Sequence, residues 1–267
     1  MKNRNLRIVA GLTILLPVLV LYAYSLWPGT FRSGGLDFKK YSFSFGGDEY
    51  ADSNSVDSSL VLKVDTNLLR RVGPLDTSAH RIMLIGDSES GGLRSHVNDY
   101  CLANGHELVY SLEWYSSTIF NFARADTVQG LIKRFQPTYI MFVVGLNELY
   151  ATDLEARKEA AFRLKAKFGE LPFAWIGPAN WTEDKGLNLV FEEVAGDAFF
   201  ESRKLDLPRG ADGRHPSLMG YQIWMDSLGS WMNNHAQYSI RMKAPEKRGL
   251  PVRGTCAAIN AVNFRGY

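Results

Sequence analysis

Cysteine is scarce in this chain of 267 residues: there are two, Cys101 and Cys256, and neither sits in a metal-ligand or redox motif. That excludes a small domain stapled by several disulfides, a zinc ribbon and a dithiol redox site. Outside the cytoplasm the two could bond and tie the C-terminal segment to the domain; two unpaired buried thiols are the alternative. Histidine is scarce too, with five residues, His80, His96, His106, His215 and His235. No acidic residue precedes Asp37. Nothing resembles the basic stripe of a nucleic-acid-binding surface, so no nucleic-acid partner is expected. No internal repeat is visible.

The apolar fraction, 46%, is that of a globular protein with a real core, and the length allows one catalytic domain plus appendages. Residues Ile8 to Trp27 form an uncharged apolar run, preceded by Lys2, Arg4 and Arg7. The run is long enough to cross a bilayer, and its basic flank should stay in the cytoplasm. The expectation is one N-terminal transmembrane helix with the rest of the chain on the periplasmic or extracellular face. A cleaved signal peptide ending near Ala23-Tyr24-Ser25 is the alternative, but the run is longer than a usual signal core. No cysteine follows it, which argues against lipoprotein processing.

Composition and pattern suggest four regions: 1–27 as cytoplasmic stub and anchor, 28–75 as a Gly-, Ser- and Asp-rich linker, 76–235 as the main globular domain, and 236–267 as a basic tail. Residues 28–235 carry 21 basic against 27 acidic side chains, whereas 236–267 carry six basic and one acidic. Such a tail could lie against anionic lipid or an acidic polymer, or be solvated.

Within the domain, short apolar runs alternate with helical patterns. Strands are expected at Arg81–Ile85, Glu107–Leu112, Tyr139–Val144, Pro172–Ile176 and Ala198–Ser202. Helices are expected at 92–103, 125–135, 154–168, 187–194 and 217–233, and 236–267 reads as irregular. This is an α/β pattern: a central parallel sheet of about five strands with helices on both faces. Sites in such sheets form at the carboxyl ends of the strands.

Ser88, in Gly86-Asp87-Ser88-Glu89-Ser90, falls at such an end, between the first strand and its helix. It is the candidate nucleophile, and its own amide could donate to an oxyanion at the positive helix end. Taken alone, the motif also fits a plain helix cap. His215 is the only histidine with an acidic residue three positions earlier, Asp212. An Asp-x-x-His turn can set a carboxylate against one ring nitrogen and leave the other as a base. His96 is a weaker rival base, and the other three read as surface or structural. Asn147, just past the third strand, could offer a side-chain N–H to an oxyanion, and Ser116, past the second, a backbone N–H. Taken separately, these two are as easily a helix cap and a Ser/Thr turn.

Together, Gly86-Asp87-Ser88, Ser116-Ser117-Thr118, Gly145-Leu146-Asn147-Glu148 and Asp212-Gly213-Arg214-His215-Pro216 resemble the blocks of an SGNH hydrolase of the GDSL esterase and lipase superfamily. The resemblance covers about Arg81 to Asn233, and Trp114-Tyr115-Ser116-Ser117-Thr118 with Trp175-Ile176-Gly177-Pro178 is similar to membrane-anchored cell-envelope members. It implies a flavodoxin-like three-layer α/β/α domain and a catalytic Ser88-His215-Asp212 triad. It also implies an oxyanion hole from Ser88, Ser116 and Asn147, without metal or organic cofactor. The second-block glycine of the family is replaced by Ser116, or by Ser117 in an alternative alignment. The leucine of the family motif is Glu89, counted here among the candidate substrate-binding residues; a carboxylate there would disfavour a greasy acyl pocket if it pointed inward, and it could equally face solvent.

Trp114, Tyr115 and Trp181 are expected in loops beside the site, where aromatic faces can meet sugar rings; rim or core packing is the alternative. The expected function is therefore hydrolysis of O-acyl, above all O-acetyl, esters on an envelope or extracellular polysaccharide. An acyltransferase with the same triad, a lipid esterase or thioesterase, and a silent glycan-binding domain are the alternatives.

Overall fold

Uncharged runs such as Ile82 to Ile85 and Tyr139 to Val143 are stable as strands only if both of their faces are covered. A computed structural model of the chain describes residues 32–33, 36–37 and 74–260. The chain divides into two units, Met1–Leu62 and Lys63–Tyr267. In the first, β1 (Arg32–Ser33) pairs antiparallel with β2 (Leu36–Asp37). The proposed membrane anchor and most of the linker lie outside the described residues. Among the described residues no helix is long and apolar enough to cross a membrane.

The second unit is built on six parallel strands: β3 (Arg81–Gly86), β4 (Glu107–Tyr115), β5 (Tyr139–Val143), β6 (Phe173–Ile176), β7 (Phe199–Phe200) and β8 (Thr255–Asn260). Their order is β7-β6-β5-β3-β4-β8. Among the described residues, six α-helices accompany them: α1 (Ser88–Asn104), α2 (Ile119–Arg124), α3 (Thr127–Phe135), α4 (Leu154–Phe168), α5 (Leu187–Ala195) and α6 (Leu218–Asn234).

Alternate residues of the strands feed two cores. Ile82, Leu84, Met141 and Val143 pack with Leu93 and Val97 of α1 and Trp224, Met225 and Leu228 of α6. Met83, Ile85, Ile140 and Phe142 pack on the other face with Phe122, Ala160, Leu164 and Phe191, from α2, α4 and α5. The Phe142 ring meets Phe122 and Trp175 edge-on, each at 5.0 Å between centroids, a favoured aromatic geometry. The α/β architecture with a covered parallel sheet is thus the one the alternation of strands and helices implies.

Four details differ from the sequence reading. Helix α1 begins at Ser88 itself, and the helix expected at 125–135 is preceded by a separate turn of helix, α2. The irregular tail supplies a sixth strand, β8, on the edge beside β4. Its sequence, Thr-Cys-Ala-Ala-Ile-Asn, is mostly exposed and has few β-branched residues, so the alternation signal is weak.

Finally, β4 runs three residues further than expected, to Tyr115. Trp114 therefore sits inside the strand, fully buried and edge-on to Phe122 at 5.0 Å, rather than in a loop beside the site. Its neighbour Leu112 points to the same face, so the strand's period of two carries Trp114 into the core.

The segment after α6 is bound to the domain. Asn104 Nδ2 donates to Lys243 O (2.8 Å), and both oxygens of buried Asp99 accept from the Gly249 and Leu250 amides (2.7 and 2.9 Å). Arg248 Nη2 donates to Asp226 at 2.8 Å. Cys101 is buried in α1 and Cys256 is exposed in β8, and both are free thiols.

β3 is flanked by β4 on one side and β5 on the other. Connections leave β3 and β5 in opposite senses, opening a crevice at their carboxyl ends.

Trp114→Ala should lower unfolding free energy by about 3–5 kcal/mol, the cost of emptying a large buried aromatic site. Denaturant unfolding measures this; an unchanged midpoint would show that the ring is not core.

Candidate active site

The crevice begins with Gly86, the last residue of β3. A Cβ there would lie 2.1 Å from the Val143 carbonyl oxygen, so no larger residue lets β3 run this close to the end of β5. Asp87 follows as the N-cap of α1. Its Oδ1 accepts from the Glu89 amide (3.0 Å), and its Oδ2 accepts from the amides of Gly145 (3.1 Å) and Leu146 (3.2 Å). Ser88 is the first helical residue, so the positive end of α1 lies at its amide. Gly91 and Gly92 bring α1 close to Glu113 and Tyr221, whose side chains would lie 2.2 and 2.0 Å from an added Cβ.

His215 stands 127 residues from Ser88 in sequence, and its Nε2 is 2.8 Å from Ser88 Oγ. Its Nδ1 is 2.5 Å from Asp212 Oδ2. Asp212 Oδ1 accepts from the amides of Arg214 and His215, each at 3.0 Å. A carboxylate at Nδ1 selects the tautomer with its proton there, which leaves Nε2 to accept the serine hydroxyl proton. The bond from His215, followed by the Arg214 amide, holds the Asp212 carboxyl down to about 2, so it is ionised throughout the neutral range.

The loop carrying this pair is closed by Gly210 N donating to His215 O and Ser217 N donating to Pro208 O, both at 2.8 Å. Arg209 fastens it to the neighbouring loop, its guanidinium donating to the carbonyls of Ala179 (2.9 Å), Asn180 (2.6 Å) and Arg214 (3.0 Å).

Asn147 lies on the short 3₁₀ turn after Gly145, whose φ of +126° is open to glycine and strained for other residues. The Asn147 amide donates one N–H to Ser117 O at 2.9 Å, which fixes its plane; an amide nitrogen carries a second N–H for another acceptor. Ser116 has φ +56°, in the left-handed region. That is the backbone conformation for which glycine would be the ordinary choice. The Ser117 amide donates to Trp114 O at 3.2 Å, which favours Ser116 over Ser117 as the candidate donor.

A pocket of about 360 Å³ opens beside His215, lined by Leu146, Asn147, Leu149, Tyr150, Trp181, Arg214 and His215. Trp181 is where an aromatic wall was expected. The Arg214 guanidinium lies 5.0 Å above its ring, and the exposed Tyr150 meets it edge-on at 5.8 Å. Tyr115 is exposed at the end of β4 and does not line this pocket.

Glu89 does not border it either. It is fully buried, accepts from the Ala179 amide at 3.1 Å, and so holds a loop instead of a substrate. Burial first, then the charge of Asp87, raises its carboxyl above the usual range.

His96 sits two turns along α1, half buried, and does not reach Ser88. His80 and His106 are structural: His106 Nδ1 accepts from His80 N (3.0 Å), at the opposite end of the strands. Among the described residues there is no cluster of three or more His, Cys, Asp or Glu side chains suited to a metal ion.

Sequence reasoning missed the working parts that do not carry out chemistry. Asp87 and Glu148 appear in the motifs only as neighbours of Ser88 and Asn147. Glu148 is buried and accepts from the Ile119 amide (2.8 Å) and from Arg157 Nε (3.0 Å), which ties the turn after β5 to the loop after β4. Tyr150 carried one available signal, an aromatic three residues beyond Asn147 in a loop. No family model matches the chain, and no curated protein matches it.

Burial raises Asp87 from 3.8 to about 6 against the pull of its three amide donors, and Glu148 from 4.5 to about 7. Acids whose folded values are raised contribute stability at low pH that is lost as pH rises through the folded value. Melting temperature should therefore fall from these groups between about pH 4 and pH 7. Glu148→Gln should flatten that slope; a slope identical to wild type would mean that Glu148 titrates normally.

Proposed function

We propose that this protein is a serine esterase of the SGNH hydrolase type, acting on O-acyl, above all O-acetyl, esters of an envelope or extracellular polysaccharide. One observation carries the reading. Ser88 Oγ, His215 Nε2 with Nδ1, and Asp212 Oδ2 form a continuous chain of hydrogen bonds of 2.8 and 2.5 Å beside a pocket of mixed apolar and polar lining. Side chains so distant in sequence need no such alignment for stability, and the alignment matches what acyl transfer requires.

In this reading His215 takes the Ser88 proton as Oγ attacks the ester carbonyl. The negative oxygen of the tetrahedral intermediate is met by the Ser88 and Ser116 amides and the Asn147 side chain. Asp212 keeps His215 oriented and supports its imidazolium form. The imidazolium then protonates the sugar oxygen as its bond to the acyl carbon breaks, which frees the sugar hydroxyl and leaves Ser88 acylated. Water gives a proton to His215 as it attacks the acyl-enzyme, and His215 returns that proton to Ser88 Oγ as the acid leaves.

The strand order β4-β3-β5-β6-β7 is the flavodoxin-like order, which supports the SGNH assignment, as does the left-handed backbone at Ser116 where the family carries glycine. The walls favour a sugar ester over a lipid, because the pocket joins a few apolar side chains to Asn147, Arg214 and His215 in place of a long apolar channel. Export and membrane anchoring belong to this proposal through the N-terminal run alone.

Ser88→Ala should abolish release of p-nitrophenol from p-nitrophenyl acetate while leaving the melting curve in place. Retained turnover would reject the triad. Asn147→Ala should lower kcat by about 10²–10³ with little change in KM, the mark of a donor used mainly in the transition state. A change confined to KM would remove Asn147 from the oxyanion role.

A further inference from the structure

A second cavity, of about 450 Å³, lies next to the first and is lined by Asn180, Trp181, Thr182, Glu183, Asp184 and Arg203. Trp181 lines both cavities, so the indole is a wall shared between the triad pocket and this polar basin. The wall is fixed. Arg214 covers the ring, Tyr150 abuts it, and Arg209 holds the Asn180 carbonyl one residue earlier.

The floor of the basin is fixed as well. Asp184 is buried and accepts from the Gly186 amide (2.8 Å), the Asn188 amide (3.2 Å) and the side chains of Asn188 (2.9 Å) and Asn180 (3.0 Å). Arg203 donates to Glu201 (2.7 Å) and approaches Asp184 (3.4 Å), so two carboxylates answer its charge. A basin whose cation is already matched offers little to phosphate or a uronate. What it presents is an aromatic ring, a hydroxyl, an amide and the exposed carboxylate of Glu183, a set suited to the hydroxyls and C–H faces of a neutral sugar. Both volumes fall within the range of small-ligand sites, about 300–1,000 Å³.

We propose that the second cavity is a saccharide subsite, and that the preferred substrate is an O-acylated neutral oligosaccharide of at least two rings. The ester-bearing ring lies beside His215, and its neighbour lies across Trp181 in the basin. The proposal rests on the esterase reading for the first ring only. Binding energy from the second, non-reacting ring would hold the ester in line with Ser88.

The test compares O-acetylated xylose, xylobiose and xylotriose, with p-nitrophenyl acetate as the ester without a sugar, in the full-length protein and in Thr182→Arg and Trp181→Ala. We expect kcat/KM to rise about tenfold or more from one ring to two, and both substitutions to erase that rise. Equal kcat/KM for one and two rings overturns the subsite, as does a rise that survives both substitutions. Melting curves of the two variants separate a folding defect from a lost contact, and a defect in one leaves the other to decide.

If no ester shows Ser88-dependent turnover, the esterase reading fails, and calorimetric titration of the same oligosaccharides judges the basin alone. Binding to wild type that Thr182→Arg weakens at least about tenfold sustains the subsite. Equal binding, or none, overturns it.

Discussion

Asp87 sits without solvent exposure between the end of β3 and the turn that follows β5, and its carboxylate accepts from three backbone amides. One amide belongs to the turn that carries Ser88, and two belong to the turn that carries Asn147. A buried amide left without a partner costs about 1–3 kcal/mol, so three donors converging on one side chain make this contact hard to replace. It fixes the Ser88 turn against the turn that bears Asn147. The distance between those two groups is therefore set by covalent geometry and one carboxylate.

The same device recurs around the crevice. Glu89 accepts from Ala179, whose loop leads to Asn180 and Trp181, and Glu148 accepts from Ile119, which follows the Ser116–Thr118 turn. Three buried carboxylates thus tie together the loops after β3, β4, β5 and β6. Each loop crosses the same end of the sheet, where backbone amides have no strand partner and must find another acceptor. Burial works against the ionised form of all three, and the amides are what they hold in exchange. Arg209 does the complementary task, giving donors to the carbonyls at Ala179 and Asn180 and to the His215 loop. The candidate site is in this sense a set of loops locked by opposite kinds of side chain.

Much of this was legible in the chain. Continuous apolar runs identify strands buried on both faces, and β3, β5 and β6 lie where those runs lie. The pairing of Asp212 with His215 is legible because three residues span one turn, so it is a local property. Trp114 was misplaced because an aromatic at the end of a strand has the same local sequence signal whether it faces the core or a cleft. Only the register of β4 against β8, with Trp114 opposite Ile259, resolves this. Glu89 was misplaced for a related reason: a charge in the first turn of a helix is ordinarily solvated, and nothing local announces that the Ala179 amide lies above it.

The α/β alternation, the turn at Ser88 and the Asp-x-x-His unit can be read from the chain because each depends on residues within a few positions of one another. The 2.8 Å contact of Ser88 with His215, the fastening by Asp87, Glu89 and Glu148, and the place of Trp181 between two cavities come from the folded arrangement alone. Those contacts join residues about 30 to 130 positions apart, and they form only when strand order brings the ends of β3, β5 and β6 together. Local propensity carries no information about that order. It is set by which apolar faces can be covered at once, a property of the whole chain.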